Sequence, residues 1–581
     1  MNAAEAWRRA HVQLLAKSIG ELSYEQLLSP CEAGEGSFEL RLASGVIYRF
    51  KAWRGVWDHL RVSPSAIVRE FEGVTGPATD AGQFFVDAKD ELGMDEIVLG
   101  NFLEEMQSTL VADAEILARS EGLGVRALAD WDGLRLQSVL PGHPKILLNK
   151  GRLGWGARDL ELYAPESGTS FELEWLAVTT GRHDGNLRAG GDPESAAAEM
   201  LSPEELVAFR ARLRGAGHDP EAAVFLPVHP WQWERVVRIH FAGELANGRL
   251  VHLGKGGGNY RPQISLRTLS CEAYPKRDDV KLPLSILNTS AVRGIPARYA
   301  TSAPAIASEL ARICREDEIL RASEVEVLAD RASLAYVNPT FSRVPGAPYR
   351  YHETLGALWR ESVESKLAKG EKGILAGALF YQDFEGRSLV GEFVRRSGLG
   401  FEAWLARYFD AVVVPLYHLQ LRQGIGLVAH GQNVVVRLRD DAPCGVFLKD
   451  FQGDLRLSSE ASVPETLGRH LDRLPPHYLI HDLVTGHFLT VLRFVSETLR
   501  ESDGFAERDF YRILSERIGV YLERTQVGPL DARLDLRGER VQRVLLNKVR
   551  FKIGYADSVE RPLPMLGGEL LNPLRAETTH V

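Results

Sequence analysis

The stretch 430–453, HGQNVVVRLRDDAPCGVFLKDFQG, has the residue pattern of one small hairpin. It opens on His430, Gln432 and Asn433, closes on Asp450 within KDFQG, and holds two apolar runs separated by a charged turn. This pattern predicts a β-hairpin with polar groups at one end. Carboxylate and amide oxygens are Mg²⁺ ligands, and Asn433 and Asp450 would lie side by side there. The alternative is a hairpin whose polar rim only caps a strand and makes a turn.

Composition limits the function classes. The 581 residues suffice for roughly two to four domains, and 45% hydrophobic with 25% charged residues is ordinary for a globular protein. A formal charge of −9 argues against nucleic-acid binding. The four cysteines are far apart and form no CxxC, which predicts a cytoplasmic protein with free thiols. We expect no signal peptide, since the N-terminus lacks its apolar core, and no membrane span.

Hydrophobic periodicity predicts an α+β fold with helices and antiparallel sheet segregated. FELRL and VIYRF alternate in period 2 around Ser44-Gly45, which predicts a hairpin, and residues 97–120 carry one apolar helical face. Further along, the runs FELEWLAV, AVFLPV, RLVHL and QISLRTL predict strands. The Gly/Asp/Pro/Ala-rich stretch 184–202 predicts a surface loop.

The last third of the chain has helical periodicity. Residues 403–424, AWLARYFDAVVVPLYHLQLRQG, predict one long helix, kinked at Pro415 and ended at Gly424. Apolar spacing predicts another amphipathic helix around 510–522. These patterns suggest an N-terminal domain (1–140), a β-rich domain (141–350) and a mostly helical domain that carries the hairpin (351–581).

Three cations and three hydroxyls recur within 263–296, QISLRTLSCEAYPKRDDVKLPLSILNTSAVRGIP. Period 2 would place Ser265 and Arg267 on one face of a strand. Three cations and three hydroxyls at one pocket would suit a triphosphate. The alternative is that the later cations are solvated surface charges, although their apolar neighbours weaken it. The six residues are Ser265, Arg267, Thr268, Lys281, Thr289 and Arg293.

Two further segments carry candidate groups. His143 lies in a Gly-His-Pro turn, and Lys150 and Arg152 point alike from a predicted extended stretch. His229 lies in PVHPWQW, where a His-Pro pair is more often a structural turn than a catalytic group. The Gly-rich GKGGGNYRP at 254–262 lacks the frame of a phosphate-binding P-loop.

Taken together and in this order, the motifs resemble the IucA/IucC family, the NRPS-independent siderophore (NIS) synthetases. The resemblance spans about 140–455. Two positions depart from the family pattern: Ile146-Leu147 replaces a second His-Pro, and Val428 replaces a Glu, which puts one metal ligand in doubt. The matching motifs are GHP (142–144), KGRLG (150–154), HPWQ (229–232), SLRT (265–268), Lys281 with Arg293 twelve residues on, HGQN (430–433), and Asp450 twenty residues after His430.

The resemblance implies a fold and a reaction. The fold would be a cupped hand of thumb, fingers and palm, with the hairpin in the palm. The enzyme would adenylate a carboxylate with ATP and Mg²⁺, then condense it with an amine or alcohol and release AMP and pyrophosphate. Citrate is the favoured acid, with a citrate monoamide or α-ketoglutarate left open. A cytoplasmic homodimer is also implied.

It also implies roles for individual residues. Asp450 and Asn433 would bind Mg²⁺, and His430 would contact the α-phosphate or the acyl group. The substrate carboxylate would lie against Arg293, His430 and His143, and the catalytic groups would be His430, Arg293 and Lys281. The remaining ATP contacts would be Ser265, Arg267, Thr268, Thr289 and Gln432, with His143, Lys150 and Arg152 as further phosphate contacts.

Two other function classes stay open. A kinase-like phosphotransferase is suggested by the Asn/Asp hairpin, since protein kinases hold metal with the same residue pair. A non-catalytic iron or siderophore handler is suggested because C-terminal regions of the family resemble a ferric-siderophore reductase. Such reductases need clustered cysteines, whereas only Cys444 follows Cys314, so we discount this class.

Overall fold

The computed structural model describes residues 1–289, 291–526, 532–560 and 564–575. Helices and mostly antiparallel sheets alternate in blocks along the chain, which confirms the predicted α+β class. Within these residues, every helix is either too short or too polar to cross a bilayer.

The N-terminal part combines two long helices with a six-stranded antiparallel sheet. The helix predicted at 97–120 is confirmed as Glu96–Ser120, and the Asp95 side chain caps it by accepting from Val98 N (2.7 Å). Helix Ala3–Tyr24 packs against it. The predicted first hairpin is confirmed, with Leu40 opposite Tyr48. The strands are Cys31–Gly34, Ser37–Arg41, Ile47–Arg54, Leu60–Val62, Val68–Phe71 and Val74–Pro77.

An eight-stranded antiparallel sheet dominates the middle of the chain. Trp175 and Trp359 are fully buried in its core. The predicted strands FELEWLAV, AVFLPV and RLVHL all lie in this sheet. Its spatial order is Leu187–Gly191, Asp330–Tyr336, Gly356–Arg360, Asp279–Lys281, Thr268–Cys271, Leu250–Pro262, Phe171–Val178 and Val224–Val228.

Two predictions in this region are wrong. The QISLRTL strand begins only at Thr268, because Leu266 has a φ of 70°, so Ser265 and Arg267 do not share a strand face. The stretch 184–202 contains strand Leu187–Gly191 and helix Pro193–Met200, not only a loop. Its Gly, Asp and Pro residues mark a strand-to-helix junction, where Asp192 caps the helix.

The hairpin of residues 434–448 is confirmed. Strands Val434–Arg439 and Ala442–Leu448 pair with Val434 opposite Leu448, and the turn residues Asp440 and Asp441 have φ of 52° and 58°. Positive φ at both turn positions suits the right-handed twist of a tight hairpin, and aspartate tolerates it. Glu371–Leu375 and Val325–Val327 complete this four-stranded sheet.

The predicted long helix at 403–424 is broken into three segments. Helix Phe401–Tyr408 runs into a π-helical segment, Phe409–Val413, and then into helix Val414–Gln423. The π-helical segment ends two residues before Pro415, whose missing N–H cannot continue a regular α-helical ladder. Gly424, in the left-handed conformation with φ 62°, ends the helix as predicted.

Other elements complete the chain. The helix expected around 510–522 is confirmed as Glu507–Thr525. Further strands are Leu284–Asn288, Ala291–Arg293, Ile425–Leu427, Leu455–Ser458, Arg473–Leu474, Arg540–Leu545 and Met565–Leu571. Further helices include Ala81–Asp87, Lys89–Leu92, Val125–Leu128, Gly133–Leu136, Ala157–Tyr163, Pro203–Gly215, Ala242–Ala246, Ala297–Glu316, Glu318–Ala322, Val363–Lys366, Leu389–Ser397, Glu465–Gly468, Pro476–Leu479, Arg493–Asp503 and Asn547–Ile553.

The buried cores only partly follow the predicted domain limits. Residues of 125–140 and 306–328 are buried in one core with the C-terminal helices. Phe551, near the C-terminus, is buried in the core of the N-terminal part. The division at 140 and 350 therefore stays a prediction.

Candidate active site

The open end of the 434–448 hairpin lies against the middle of the eight-stranded sheet. Asp450, two residues beyond the hairpin, contacts the ammonium of Lys281 and lies 3.3 Å from a guanidinium nitrogen of Arg360. Lys281 lies directly opposite Thr268 on the next strand. The structure thus brings together Asp450, Lys281 and Thr268, which are far apart in sequence.

These charges fix one another's protonation. Lys281 and Arg360 outweigh burial and hold the pKa of Asp450 well below its usual range, so it is a carboxylate. Burial lowers the pKa of Lys281 to about 8, and Asp450 opposes that shift, so Lys281 is cationic near neutral pH. Arg360 also donates to buried Asp330 (2.7 Å). Buried charges need such partners, because unpaired ones carry a large desolvation cost.

The other side of the hairpin end is formed by the HGQN motif. His430 Nδ1 accepts from the backbone N–H of Gln432 (3.2 Å), and its Nε2 lies 3.9 Å from Asp454. Burial lowers the pKa of His430, which favours a neutral imidazole at neutral pH. The Asn433 amide donates to Asp454 (3.0 Å) and to the Val428 carbonyl (3.0 Å). Asn433 is therefore joined to Asp454, and Asp450 to Lys281.

The residues around the hairpin end fit a hard cation. Oδ1 of Asn433 accepts no hydrogen bond from the described part of the chain, and the Asp454 side chain is 36% exposed. Together with Asp450 they form a set of oxygen donors of the kind that Mg²⁺ accepts. Val428 offers only its carbonyl, which Asn433 already uses.

A second hairpin, Leu284–Asn288 and Ala291–Arg293, brings another group of candidates to the site. The Arg293 guanidinium donates to the Asn288 carbonyl (2.9 Å) and contacts the Thr289 hydroxyl. Thr289 has a φ of 61°, which is unusual for a β-branched residue. Arg267 donates to the carbonyl of Gly294, directly after Arg293. Arg267, Thr289 and Arg293 therefore lie together.

Ser265 and His143 are held by local backbone contacts. The Ser265 hydroxyl accepts from Thr268 N (3.2 Å), which stabilises the turn before the strand. His143 Nδ1 accepts from Ile146 N (3.1 Å). Burial lowers the pKa of His143 well below its usual range, and the proximity of His430 lowers it further, because the two imidazoles disfavour each other's protonation.

Lys150 and Arg152 already have carboxylate partners. Lys150 donates to Asp113 (2.6 Å), and Arg152 forms a buried ion pair with Glu166. The predicted extended stretch is wrong here, because Lys150 lies in a turn and Arg152 has a φ of 44°. Their phosphate contacts stay predictions.

His229 has the structural role that its His-Pro context favoured. Its Nδ1 accepts from Trp231 N (3.1 Å) and caps a short helix. The ring packs edge-on against Tyr163 and Phe171, and burial lowers its pKa to about 3.

Sequence reasoning missed three residues of the site: Arg360, Asp330 and Asp454. Arg360 and Asp330 are paired on neighbouring strands, a long-range contact that no local pattern reveals. Asp454 follows Asp450 by four residues in DFQGD, so a search for carboxylates beyond the KDFQG motif could have found it.

Comparisons with known proteins agree with the motif series. The IucA / IucC family model matches residues 135–381, and a model described as ferric iron reductase FhuF-like transporter matches 402–557. An aerobactin synthase from Vibrio mimicus is 36% identical over 99% of this chain and 98% of its own. The structure of aerobactin synthetase IucC from Klebsiella pneumoniae has a TM-score of 0.87 at 35% identity, covering 99% of both chains.

A structure of ATP-bound aerobactin synthetase IucA from Klebsiella pneumoniae has a TM-score of 0.77 at 18% identity, covers 97% of this chain and 99% of its own, and shares the fold. The chain belongs to the IucA/IucC family and is an enzyme of the NIS synthetase type.

Proposed function

We propose that this enzyme activates a citrate-like carboxylate with ATP as an acyl-adenylate and joins it to an amine or alcohol in siderophore biosynthesis, releasing AMP and pyrophosphate. The observation that carries the proposal is the convergence of Lys281 and Arg360 on Asp450 at the hairpin end, beside His430. That arrangement joins fixed cations to oxygen donors, as a polyphosphate site requires.

The residues can be given roles in this reaction. Lys281, Arg267, Thr268 and Ser265 would bind the phosphates. Arg293, with its planar fork, would bridge the α-phosphate and the substrate carboxylate. The carboxylate oxygen attacks the α-phosphorus, the bond to the β-phosphate oxygen breaks, and pyrophosphate leaves with that electron pair.

His430 can serve the same step as a hydrogen-bond donor. Its Nδ1 accepts from the backbone, so in the neutral tautomer Nε2 carries the proton. A donor at Nε2 would stabilise charge that develops on the α-phosphate or the acyl oxygen. Asp450, Asn433 and Asp454 would hold Mg²⁺, which when bound offsets the charge of the leaving pyrophosphate.

A thiol intermediate is not supported. Burial raises the pKa of the Cys314 thiol to about 12 and that of Cys444 to about 11, so both are protonated at neutral pH. A thiol is a far weaker nucleophile than a thiolate.

The match of 402–557 to a ferric iron reductase FhuF-like model keeps an iron-handling role as the second candidate. An iron–sulfur centre lacks support in this chain, because the four cysteines are all free and do not cluster. An iron-handling protein would acquire an iron chromophore on incubation with iron and sulfide, whereas a synthetase would not.

The direct test is a panel of carboxylic acids with ATP and hydroxylamine as trap. The activated acid gives a hydroxamate together with AMP and pyrophosphate. We expect citrate or a citrate derivative to give the highest rate. Stoichiometric ADP would instead identify a phosphotransferase. The homodimer and the cytoplasmic location stay predictions that the resemblance implies.

A further inference from the structure

The residue before His430 is fixed at both of its backbone groups by one largely buried segment. The N–H of Ala429 donates to the Asp482 carbonyl (3.1 Å), and the Ala429 carbonyl accepts from Nδ1 of His487 (2.8 Å). Gly486 lies against the same residue, and a Cβ there would be only 2.9 Å from Ala429 N. Three residues of this segment therefore hold the backbone that leads into the HGQN motif.

Both ring nitrogens of His487 are used, which fixes its tautomer. A carbonyl oxygen can only accept, so Nδ1 of His487 carries the proton and Nε2 is the acceptor. Nε2 accepts from the Tyr408 hydroxyl (3.0 Å), and the two rings stack with their centroids 6.2 Å apart. Burial lowers the pKa of His487 to about 4 and raises the pKa of Tyr408, so both are neutral near neutral pH. A chain of two hydrogen bonds therefore runs from Tyr408 through His487 to Ala429.

The backbone around this chain of hydrogen bonds is unusual. His487 lies in the π-helical segment Val484–Leu492, and Tyr408 is the last residue before the π-helical segment Phe409–Val413. π-Helical turns are rare and occur frequently at functional sites. The hydrogen bond between Tyr408 and His487 therefore links two such segments behind the HGQN motif.

The residue after His430 is fixed as well. The Gly431 carbonyl accepts from Gly377 N (3.0 Å), and a Cβ at Gly431 would lie 2.9 Å from Cα of Gly377. The His430 ring is tied to the same loop through its Nδ1, which accepts from Gln432 N (3.2 Å). Because the chain is held on both sides, the direction of Nε2 of His430 depends on the position of Ala429.

We propose that His487 is a positioning residue for His430: by fixing the Ala429 carbonyl, it sets the direction in which Nε2 of His430 meets the α-phosphate or the acyl oxygen. Tyr408 holds the His487 ring from the other side. The inference rests on the proposed function, since it concerns the same reaction. His487 acts through the backbone and makes no contact with the substrate.

Two substitutions of His487 separate its two hydrogen bonds. The amide nitrogen of an asparagine lies near the place of Nδ1, and that of a glutamine lies near the place of Nε2. His487→Asn therefore keeps a donor for Ala429, whereas His487→Gln loses it and keeps a polar group facing Tyr408. In citrate-dependent AMP release with hydroxylamine, His487→Gln should lose at least about tenfold in kcat, because a small misplacement of a reacting group is costly. The KM for ATP and for citrate should stay near the wild-type values, and His487→Asn should recover most of the lost kcat.

A double-mutant cycle shows whether His487 acts through His430. In a His430→Ala background, His487→Gln should cost less than about a further twofold, because residues that act as one unit are not additive. A purely structural role would lower the rate by the same factor in both backgrounds. The matched control is His418→Gln, since His418 is also buried and bonded to a tyrosine, Tyr521 (2.9 Å). This control should lower stability and leave kcat unchanged.

Gly486→Ala reaches the same contact from the neighbouring residue. Its Cβ would displace Ala429, so kcat should fall with the KM values unchanged, and this variant decides the matter if His487→Gln does not fold.

The outcomes separate the two proposals. If the wild type forms no citrate-dependent AMP with hydroxylamine, the proposed function fails, and this inference fails with it. If the wild type does form AMP but His487→Gln or Gly486→Ala keeps the wild-type kcat, the positioning role is wrong and the proposed function stands. An equal loss in the His430→Ala background has the same meaning.

Discussion

Two groups of buried ion pairs in this molecule are built from the same kinds of residue, carboxylates paired with Lys and Arg. They differ in what surrounds them. The first, which we term the interlock cluster, consists of Glu21, Lys145, Arg493, Glu497 and His59. Glu21 contacts Arg493 and lies 2.9 Å from Lys145, and Glu497 lies 2.7 Å from His59. The second, the site cluster, consists of Lys281, Asp450, Arg360 and Asp330.

The interlock cluster joins the first helix to a helix of the C-terminal part. Glu21 and Arg493 are 472 residues apart, and both are buried between helix Ala3–Tyr24 and helix Arg493–Asp503. Every member of the cluster is buried, which leaves no face for a ligand. Its ion pairs hold two parts of the protein together.

The site cluster lies beside partly exposed groups and unusual backbone. Near it, the His430 side chain is 25% exposed and that of Asp454 is 36% exposed. Leu266, Thr289 and Asp450 have φ of 70°, 61° and 69°. Such conformations cost about 1–3 kcal/mol each and persist where the surroundings enforce them, often at functional sites. Burial and ion pairing alone therefore do not identify the site.

The largest effect on stability should come from breaking the interlock cluster. Arg493→Met leaves Glu21 buried without its guanidinium partner, and we expect a loss of about 3–5 kcal/mol in the free energy of unfolding, measured by urea denaturation. The control is Arg512→Met, whose ion pairs are exposed, with an expected change below about 1 kcal/mol. Equal stability of Arg493→Met and wild type would show that the cluster is not structural.

Breaking the site cluster should lower activity more than stability. Asp450→Asn keeps a residue that tolerates positive φ but removes the charge, so kcat should fall at least about 10²-fold. Arg360 keeps Asp330 as a partner and Lys281, with a pKa of about 8, can lose its proton, so the loss of stability should be smaller than that of Arg493→Met. Asp441→Asn, at the opposite end of the same hairpin, is the matched control and should retain activity. Wild-type turnover by a folded Asp450→Asn variant would remove Asp450 from the site.

Arg293 and Lys281 differ in what they should bind. Arg293→Lys keeps the charge but loses the planar fork, so the KM for both ATP and citrate should rise several-fold and kcat should fall. Lys281→Arg should raise the KM for ATP alone. Saturation curves in each substrate test this, and an Arg293→Lys variant altered only in its ATP curve would place the carboxylate elsewhere.

The smallest expected effect is on the free energy of unfolding at acid pH. Burial tends to raise the pKa of Glu497, but His59 and Arg493 outweigh it and lower the pKa to about 2. Because this lies below the unfolded value of about 4.3, the stability that it contributes is present above about pH 4.3 and is lost as the pH falls toward 2. The free energy of unfolding of Glu497→Gln should therefore change less between pH 6 and pH 3. A slope equal to that of the wild type would contradict this assignment.

Local periodicity was enough to predict the hairpin at 434–448, the helices at 97–120 and 510–522, and three of the eight strands of the central sheet. It failed at Leu266, because a single residue with positive φ ends the alternation before Thr268. It failed again at 184–202, because Gly, Asp and Pro are typical both of loops and of strand-to-helix junctions.

The site was predictable only as separate motifs. The contact between Lys281 and Asp450 spans 169 residues and depends on how a sheet and a hairpin pack.

The most direct test of the central claim is product analysis of the purified enzyme with ATP, Mg²⁺, citrate and hydroxylamine. Nucleotides and phosphates are quantified alongside citryl hydroxamate. We predict AMP, pyrophosphate and hydroxamate in equal amounts, and none of them when the acid is omitted. ADP and inorganic phosphate in place of AMP and pyrophosphate, with any acid of the panel, would contradict the account.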